Sequence, residues 1–363
     1  MKRLHFTVTN DLSYDQRMIR ICSSLSEAGY GVTLIGRKLP DSKPLEIRPF
    51  QQKRIRCFFK KGKGFYAEYN IRLFFYLLFK KTDLLCAIDL DTILAIYFAS
   101  AIKRVKRVYD AHELFCEMKE VVTRPKIYRL WKRIERFTVP KFQQGYTVSS
   151  PIADEFRKMY EVQYAVIRNL PLSAPLTIPE KKEKFILYQG AVNEGRSFET
   201  LIPAMQQINA RLIIAGDGNF MTQAKELVEQ NKLTEKVIFT GKLSPSELYQ
   251  QTLAAWIGIT LFENNGLSNY FSLANRFSDY INAGIPQICV DYPVYRELNK
   301  NSPIAVLITD LGPVNISKHI NELLENPVLY SKLQQNCLQV RQELNWQQEE
   351  KKLLSFYHSI FNV

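Results

Sequence analysis

Short apolar segments alternate with helical ones along most of the chain, and this alternation constrains the fold more than any other feature of the sequence. The segments with strand character in the first half are RLHFTVT, GVTLIG, LLCAI, RVKRVY and GYTVS. Amphipathic stretches follow them, such as the one that runs through Met18 and Cys22 and stops at Gly29. Strands that alternate with helices predict a parallel sheet with helices on both faces.

The alternation stops once and then restarts. Residues 166–184 contain three prolines and show no periodicity, which is typical of a connection between domains. The strand-like segments beyond it are FILYQG, ARLIIAGDG, KVIFTG, AAWIGIT, PQICV and IAVLI. A length of 363 residues also favours more than one domain. We therefore predict an α/β fold of two tandem, Rossmann-like, doubly wound domains.

Apolar runs and cysteines indicate the cellular setting. The N-terminal residues lack the continuous apolar segment of a signal peptide, and apolar runs are no longer than LFFYLLF at 73–79, which is far too short to span a bilayer. The six cysteines are not closely paired, so neither a zinc site nor a disulfide framework is indicated. We expect a cytoplasmic protein.

The positive charge is concentrated in the first half of the chain. Residues 1–160 hold 31 Lys and Arg against 16 Asp and Glu, whereas the remainder holds 18 against 20. Three runs, 53–65, 71–81 and 124–137, mix cations with aromatic residues and leucine. We interpret them as a surface that attaches peripherally to the anionic inner face of a membrane. Nucleic-acid binding is the alternative, but no recognised motif accompanies the charge, so we expect no nucleic-acid partner.

Four glycines of the second half stand where predicted strands end. Gly190, Gly216, Gly218 and Gly241 would let the backbone approach a ligand closely and leave N–H groups free for an anion. Each could also be a plain turn. Arg196 follows Gly190 by six residues, and its guanidinium could clamp a diphosphate with two hydrogen bonds.

The densest group of polar residues lies within 265–286. Ser272, Asn275, Arg276 and Asp279 have spacings that place three of them on one face at the start of a helix. In the purely structural alternative, Ser272 caps that helix and Arg276 forms a solvated pair with Asp279.

An unusual cluster, Asp110, His112 and Glu113, follows a predicted strand that ends at Tyr109. Ligands of open parallel sheets bind outside the carboxyl ends of the strands, so these side chains would lie on the ligand-bearing edge. The alternative is a helix start, where acids are favoured by the helix dipole.

Two more polar groups follow predicted strands. For Asp89 and Asp91, after LLCAI, we favour a helix cap over a metal-binding pair. The group after the first strand is either acceptor-binding or a capped helix start; it consists of Asn10, Asp11, Tyr14, Asp15 and Arg17.

Several of these stretches, in this order, resemble one family. FILYQGAVNEGRSFETLIPAM, RLIIAGDGN, VIFTGKLSPSEL and FSDYINAGIPQICVDYPVYREL resemble the C-terminal domain of the retaining glycosyltransferases of family 4, which have the GT-B fold. TNDLSYDQRMIRICSSLSEAGYGVTLIGR and VYDAHELF resemble the acceptor domain of the same family. The resemblance implies an acceptor-binding domain at 1–168, a donor-binding domain at 169–345 facing it across a cleft, and a C-terminal helix at 346–363 that packs back on the first domain.

The resemblance also implies the chemistry. A nucleotide-diphosphate sugar would be the donor, with no metal and no further cofactor, and its sugar would pass with retention to a hydroxyl of a lipid-linked acceptor or a cell-surface glycan precursor. The resemblance implies that His112 borders the donor sugar and acceptor and that Arg196 takes the place of the family's lysine; with Arg276, which we add ourselves, these are the predicted catalytic residues. The donor-binding residues would be Gly190, Gly216, Gly218, Gly241, Lys242, Leu243, Ser272, Asn275 and Asp279. Apart from the resemblance, we predict Asn10, Asp11, Tyr14, Arg17 and Glu113 as acceptor-binding residues.

The chain departs from the family pattern in two places. Phe271 stands where the first acid of the family's Glu-x7-Glu element would fall, and Ala191 stands where an arginine follows the glycine near the diphosphate. We propose that Arg276 supplies the missing positive charge, since two cations stabilise a departing diphosphate better than one. An epimerase of the same architecture and a non-catalytic relative stay open as alternatives.

Overall fold

Two units make up the computed structural model, which describes residues 1–13, 15–177 and 183–362. Unit 1 consists of Met1–Asn169, Gly266–Ser268 and Glu349–Val363, and unit 2 consists of Leu170–Asn265 and Asn269–Gln348. Tyr14, one of the predicted acceptor-binding residues, lies outside the described residues.

Unit 1 contains a parallel sheet that has seven strands within the described residues, in the order β3-β2-β1-β4-β5-β6-β7. The middle strands are buried throughout, as expected for continuous apolar segments such as LLCAI. The strands are β1 (Arg3–Thr7), β2 (Gly31–Lys38), β3 (Gln51–Arg56), β4 (Leu84–Ile88), β5 (Lys106–Ala111), β6 (Gly145–Thr147) and β7 (Ala165–Val166). The helices that connect them are α1 (Gln16–Glu27), α2 (Gly62–Leu78), α3 (Ile93–Lys103), α4 (Lys119–Val122), α5 (Pro125–Thr138) and α6 (Ser150–Tyr160).

The basic run 53–65 does not form one continuous interfacial segment. Its first part belongs to β3, an edge strand that pairs only with β2 among the described strands. Most side chains of β3 are polar and Ile55 is its buried residue, so the segment lacks the alternation that predicts a strand. The second and third runs lie mainly on α2 and α5.

Unit 2 contains a second parallel sheet, with six described strands in the order β10-β9-β8-β11-β12-β13. These strands are β8 (Phe185–Gln189), β9 (Arg211–Ala215), β10 (Val237–Gly241), β11 (Ile257–Thr260), β12 (Gln287–Val290) and β13 (Ala305–Ile308). The helices along this half of the chain are α7 (Phe198–Ala204), α8 (Met221–Gln230), α9 (Pro245–Ala254), α10 (Leu267–Phe271), α11 (Asn275–Asn282), α12 (Pro293–Asn299), α13 (Pro313–Glu325) and α14 (Pro327–Val340).

Both faces of the second sheet are covered. Along β8, Ile186 and Tyr188 pack into one apolar core, whereas Phe185 and Leu187 pack into another. Because successive side chains of a strand point to opposite faces, the two cores lie on the two sides of the sheet. This is the predicted doubly wound arrangement.

The last helix, α15 (Trp346–Phe361), contributes its larger part to unit 1. Tyr357 is fully buried there, with its ring 6.2 Å from that of Tyr146 and 5.9 Å from that of Phe6. None of the helices in the described part of the chain combines the length and the apolar character needed to cross a membrane.

Candidate active site

In unit 1, a histidine is held between two aspartates at the carboxyl ends of β4 and β5. These strands are parallel neighbours, with Ile88 paired to Asp110, so the residues that follow them come together. His112 Nδ1 lies 3.3 Å from Asp89 Oδ2, and His112 Nε2 lies 3.3 Å from Asp110 Oδ2. The backbone N–H of His112 also donates to Asp89 Oδ1 at 2.9 Å. The side chain of His112 is 24% exposed, so one edge of the ring can meet a ligand.

Asp110 belongs to β5, so the prediction that the strand ends at Tyr109 was wrong by two residues. The fully buried Asp110 is tolerated inside the sheet because Arg17 Nη2 donates to its Oδ1 at 2.9 Å. Burial alone would raise the pKa of Asp110, but the charges of Arg17 and His112 lower it below its ordinary value. Asp110 is therefore a stable anion.

The two aspartates determine the charge of His112. Burial would lower the pKa of the imidazole, but Asp89 and Asp110 together raise it to about 9. His112 is thus an imidazolium at neutral pH, and both of its N–H groups point at carboxylates. A ring in this state supplies positive charge and cannot act as a general base.

Asp89 and Asp91 do not cap a helix, and that prediction was wrong. Helix α3 begins at Ile93 after Thr92, and the carboxylates turn instead to His112 and to the hydroxyl of Thr9. Asp89 has a φ of 54°, a left-handed conformation that is uncommon outside glycine and concentrates at functional sites. Burial raises the pKa of Asp89 to about 6, and burial with the nearby charge of Asp89 raises that of Asp91 to about 7.

The predicted acceptor-binding residues are mostly engaged within unit 1. Asp15 caps α1 by accepting from the backbone N–H of Met18 at 3.0 Å, and Asn10 donates to Asp15 at 3.0 Å. Asp11 forms an ion pair with Arg54 at 2.6 Å.

For Arg17 the structure requires a correction. It is only 4% exposed, and its guanidinium is bound to Asp110 and to the carbonyl of Ile167. Arg17 therefore positions Asp110 and does not contact an acceptor itself. Glu113 accepts from the hydroxyl of Ser268 at 3.4 Å, and burial raises the pKa of its carboxyl group.

In unit 2, three glycine turns lie side by side at the carboxyl ends of β8, β9 and β10. Gly190, Gly216 and Gly241 all have positive φ, and Gly216 donates its N–H to the carbonyl of Gly241 at 2.9 Å. A Cβ on Gly216 would lie 1.8 Å from the carbonyl oxygen of Gly190, and one on Gly218 would lie 2.3 Å from that of Val192. At Gly216 and Gly218 the backbone packs against neighbouring backbone so closely that only glycine fits.

Beside the turns, Lys242 is exposed and lies 3.7 Å from Asp217 Oδ2. Leu243 packs against the apolar core behind the sheet.

Arg276 is a buried cation that points at the first of these turns. It is 8% exposed, and its Nη1 lies 3.5 Å from the position that a Cβ on Gly190 would take. The guanidinium donates to Tyr188 Oη and to the carbonyl of Leu261, both at 3.3 Å. Its Nε has no hydrogen-bond partner, and no acid of the described residues lies within salt-bridge distance of it. A buried charge without a counterion is costly, so this site favours an anion.

The structure brings Arg196 and Arg276 to the same aromatic ring. The guanidinium carbon of Arg196 lies 5.5 Å from the centre of Phe262, and that of Arg276 lies 5.8 Å from it. Arg196 stands directly before Ser197, whose φ of 60° is again in the left-handed region, and α7 follows. The two arginines that the sequence analysis selected therefore both lie near the ring of Phe262.

The polar stretch around Arg276 folds differently from the prediction. Helix α10 ends at Phe271 and α11 begins at Asn275, so Ser272 lies between two helices and donates to the carbonyl of Asn269 at 2.9 Å. The break is fixed by Tyr295, whose hydroxyl accepts from the backbone N–H of Ala274 at 2.9 Å. Positions 271 and 279 are therefore not two turns apart on one helix.

Asp279 does not form the solvated pair with Arg276 that was the alternative prediction. Its carboxylate accepts from Gln189 Nε2 at 2.9 Å, and Gln189 Oε1 in turn accepts from the hydroxyl of Thr252 at 2.8 Å. Asn275 is exposed at the start of α11. Sequence reasoning missed Gln189; its signal was a polar residue at the end of an otherwise apolar strand, directly before Gly190.

Comparison with known proteins adds to this geometry. Residues 175–340 match the family model described as glycosyl transferases group 1. The match covers 166 of the 363 residues, which is less than half of the chain. The group 1 segment contains the three glycine turns and both arginines, whereas the His112 cluster lies outside the matched residues.

Relatives and solved structures support the fold. The chain is 28% identical over 100 residues to the alpha-monoglucosyldiacylglycerol synthase of Streptococcus pneumoniae, and the aligned segment spans 26% of this chain and 23% of that relative. The sucrose-phosphate synthase of Thermosynechococcus elongatus matches with a TM-score of 0.81 at 15% identity, over 100% of both chains. Anabaena HepE, in complex with UDP and glucose, matches with a TM-score of 0.77 at 14% identity, over 99% of this chain and 100% of the other. The predicted GT-B fold of two parallel-sheet units is confirmed.

Proposed function

We propose that this protein is a retaining glycosyltransferase that moves a sugar from a nucleotide-diphosphate sugar to a hydroxyl of a lipid-linked acceptor or a related glycan precursor. The observation that carries the proposal is the buried guanidinium of Arg276 at the Gly190 turn, which has no acid within salt-bridge distance in the described part of the chain, with Arg196 beside the same Phe262 ring. Two cations beside exposed turn backbone suit a diphosphate, which carries negative charge at adjacent phosphates.

In the proposed reaction, the bond between the anomeric carbon and the diphosphate oxygen breaks while a bond to the acceptor oxygen forms on the same face. Arg196 and Arg276 stabilise the charge that develops on the departing diphosphate. The acceptor proton passes to the departing phosphate oxygen. This route needs no protein base, which agrees with an imidazolium whose two N–H groups are already bound to carboxylates. Metal independence is part of the proposal.

A lipid acceptor and a peripheral position at the inner face of the membrane are supported by the surface of unit 1. Helix α2 exposes Ile71 and Phe75, and Phe79 follows one turn later, so the three lie on one stripe. We call the following set the α2 surface: Phe58, Ile71, Phe75 and Phe79 with the exposed cations Lys60, Lys61, Lys80 and Lys81. Exposed aromatic rings among lysines suit the interface of an anionic membrane. The Streptococcus relative, by its name, makes a glucosylated diacylglycerol.

The donor site is tested by calorimetry with UDP, GDP, ADP and their sugars, followed by an assay for nucleoside diphosphate release. We expect one base to be preferred, and we expect Arg276→Gln to lower turnover of that donor by about 10²-fold, the usual cost of losing one donor to a developing charge. Arg296→Gln is the matched control, because Arg296 is an exposed arginine of unit 2 that pairs with Asp291.

The outcomes separate the alternatives. If Arg276→Gln turns over its donor as fast as the unchanged protein, the role of Arg276 is wrong. Conversion of the sugar into an isomer without an acceptor would indicate an epimerase. Binding without any release across the donor panel would indicate a non-catalytic relative.

A further inference from the structure

Unit 1 contains a cavity of about 590 Å³ that has no role in the reaction described above. It lies among α2, the start of α3 and α5, with the segment 115–121 along one side. Its walls are mainly apolar. The residues that line it include Tyr66, Ala67, Asn70, Asp91, Leu94 and Trp131. A volume in this range is typical of sites for small organic groups. We call this cavity the α2–α5 chamber.

The apolar wall on the α5 side is an incompletely covered helix face. Ile127, Trp131 and Ile134 recur at helical spacing and line the chamber, and Leu130 on the same face is 43% exposed. Opposite them, Tyr66 packs its ring edge-on against Trp131 at 5.3 Å. Protein interiors are normally close-packed, so an apolar space of this size between two helices suits an apolar guest.

One end of the chamber is polar and belongs to the loop of the His112 cluster. Asp91 lines the chamber, and Asn70 Nδ2 donates to the backbone carbonyl of Asp91 at 2.8 Å. Two residues earlier on the same loop, Asp89 turns its carboxylate to His112. The chamber therefore leads from apolar walls to the loop that holds the imidazolium. Lys63, Glu120 and Arg124, all exposed, line the chamber as well, so its opening carries charges of both signs.

We propose that the α2–α5 chamber holds the hydrocarbon part of the acceptor, with the hydroxylated head directed to Asp91. This assignment rests on the proposed glycosyltransferase function and narrows its acceptor to a molecule with an alkyl or acyl chain. Among the described residues, the carboxyl group of Asp91 accepts one side-chain hydrogen bond, from the hydroxyl of Thr9, and it has capacity to accept more. The chamber thus determines which acceptors reach the site, and Asp91 positions them.

The first test uses Trp131 as the reporter. Octyl glucoside, titrated below its micelle concentration, should change the tryptophan emission in a saturable way, whereas methyl glucoside, which lacks the chain, should not. Trp131→Phe should remove the change. Ala67→Phe and Leu94→Phe narrow the chamber and should weaken the apparent affinity at least about tenfold, since they displace two or more methylene groups of the guest. Ala101→Phe, at an exposed position of α3 outside the chamber, is the matched control.

The outcomes keep this inference distinct from the proposed function. If octyl glucoside and methyl glucoside act alike, or if Ala67→Phe and Leu94→Phe bind octyl glucoside as well as Ala101→Phe does, the chamber does not hold the chain. Calorimetry with the preferred nucleoside diphosphate should give the same affinity in all three variants, because unit 2 binds the donor. A protein that binds octyl glucoside at Trp131 but no nucleotide would show that the chamber holds an alkyl chain and would overturn the proposed function.

Discussion

At the scale of single residues, the charge of His112 is the property that most depends on its neighbours. Asp89→Asn removes one of the two carboxylates that raise the imidazole pKa and retains a residue that tolerates the left-handed backbone. We expect the pKa of His112 to fall from about 9 towards its ordinary value. Histidine resonances followed by NMR against pH measure this, and His112→Gln assigns the signal.

Asp41→Asn is the control for that titration, because Asp41 is an exposed acid of the same unit. It should leave the His112 titration unchanged. An unaltered pKa in Asp89→Asn would show that Asp89 does not determine the charge of the ring.

The same pKa makes the stability of unit 1 depend on pH. The folded protein holds the His112 proton more tightly than the unfolded chain, whose histidine pKa is about 6.5. The stabilisation is therefore fully present below pH about 6.5 and is lost as the pH rises through about 9. Urea midpoints of the unchanged protein and His112→Gln should differ most at the low end of this window and converge at the high end. A constant difference across the window would contradict the raised pKa.

Sequence reasoning found Asp110, His112 and Glu113, but it did not find the roles of Arg17 and Asp89. Asp110, His112 and Glu113 stood out because polar side chains follow an apolar strand. The ion pair of Arg17 with Asp110 could not be predicted, since it joins residues 93 positions apart through the order of strands in the sheet. For the same reason the sequence suggested that Arg17 binds an acceptor, although its burial makes it a support for Asp110.

At the scale of elements, the glycine turns of unit 2 depend on the order of its strands. Gly216→Ala places a methyl group 1.8 Å from the carbonyl oxygen of Gly190, so it should destabilise unit 2 by more than about 3 kcal/mol and abolish nucleotide binding. The methyl group added by Gly241→Ala has no atom within 4 Å. This substitution should therefore lower the free energy of unfolding only by the strain of the positive φ, about 1–2 kcal/mol. Urea unfolding and calorimetry with nucleoside diphosphates measure both effects. Equal costs for the two substitutions would show that the close approach of the turns is not required.

The elements that could be predicted are those whose residues face a core on both sides. LLCAI is predicted and observed with the same bounds, because every residue of β4 is buried. β3 was missed since an edge strand with polar side chains carries no apolar pattern. The break between α10 and α11 was missed as well, because it depends on the hydroxyl of Tyr295, which is distant in sequence from Ala274.

At the scale of the whole molecule, the excess of positive charge belongs to the half of the chain that forms most of unit 1. Residues 1–160 carry 31 cations against 16 acids, and this stretch also contains the α2 surface. A field of one sign draws the protein towards anionic partners, and exposed aromatic residues then determine whether it stays at an interface. Charge alone would permit a nucleic acid, whereas the exposed rings favour lipid.

Phe75→Ser together with Phe79→Ser tests which of these partners is bound. Each ring is more than half exposed, so the fold should not depend on it, and the pair should weaken binding to vesicles of phosphatidylcholine with phosphatidylglycerol at least about tenfold. Val314→Ser with Val328→Ser, exposed apolar residues of unit 2, should leave vesicle binding unchanged. Added salt should weaken the binding, because the lysines act through the field. Cosedimentation with the vesicles measures these effects. A membrane role would be contradicted if short duplex DNA displaced the vesicles at moderate salt. It would also be contradicted if the double variant bound the vesicles as well as the unchanged protein.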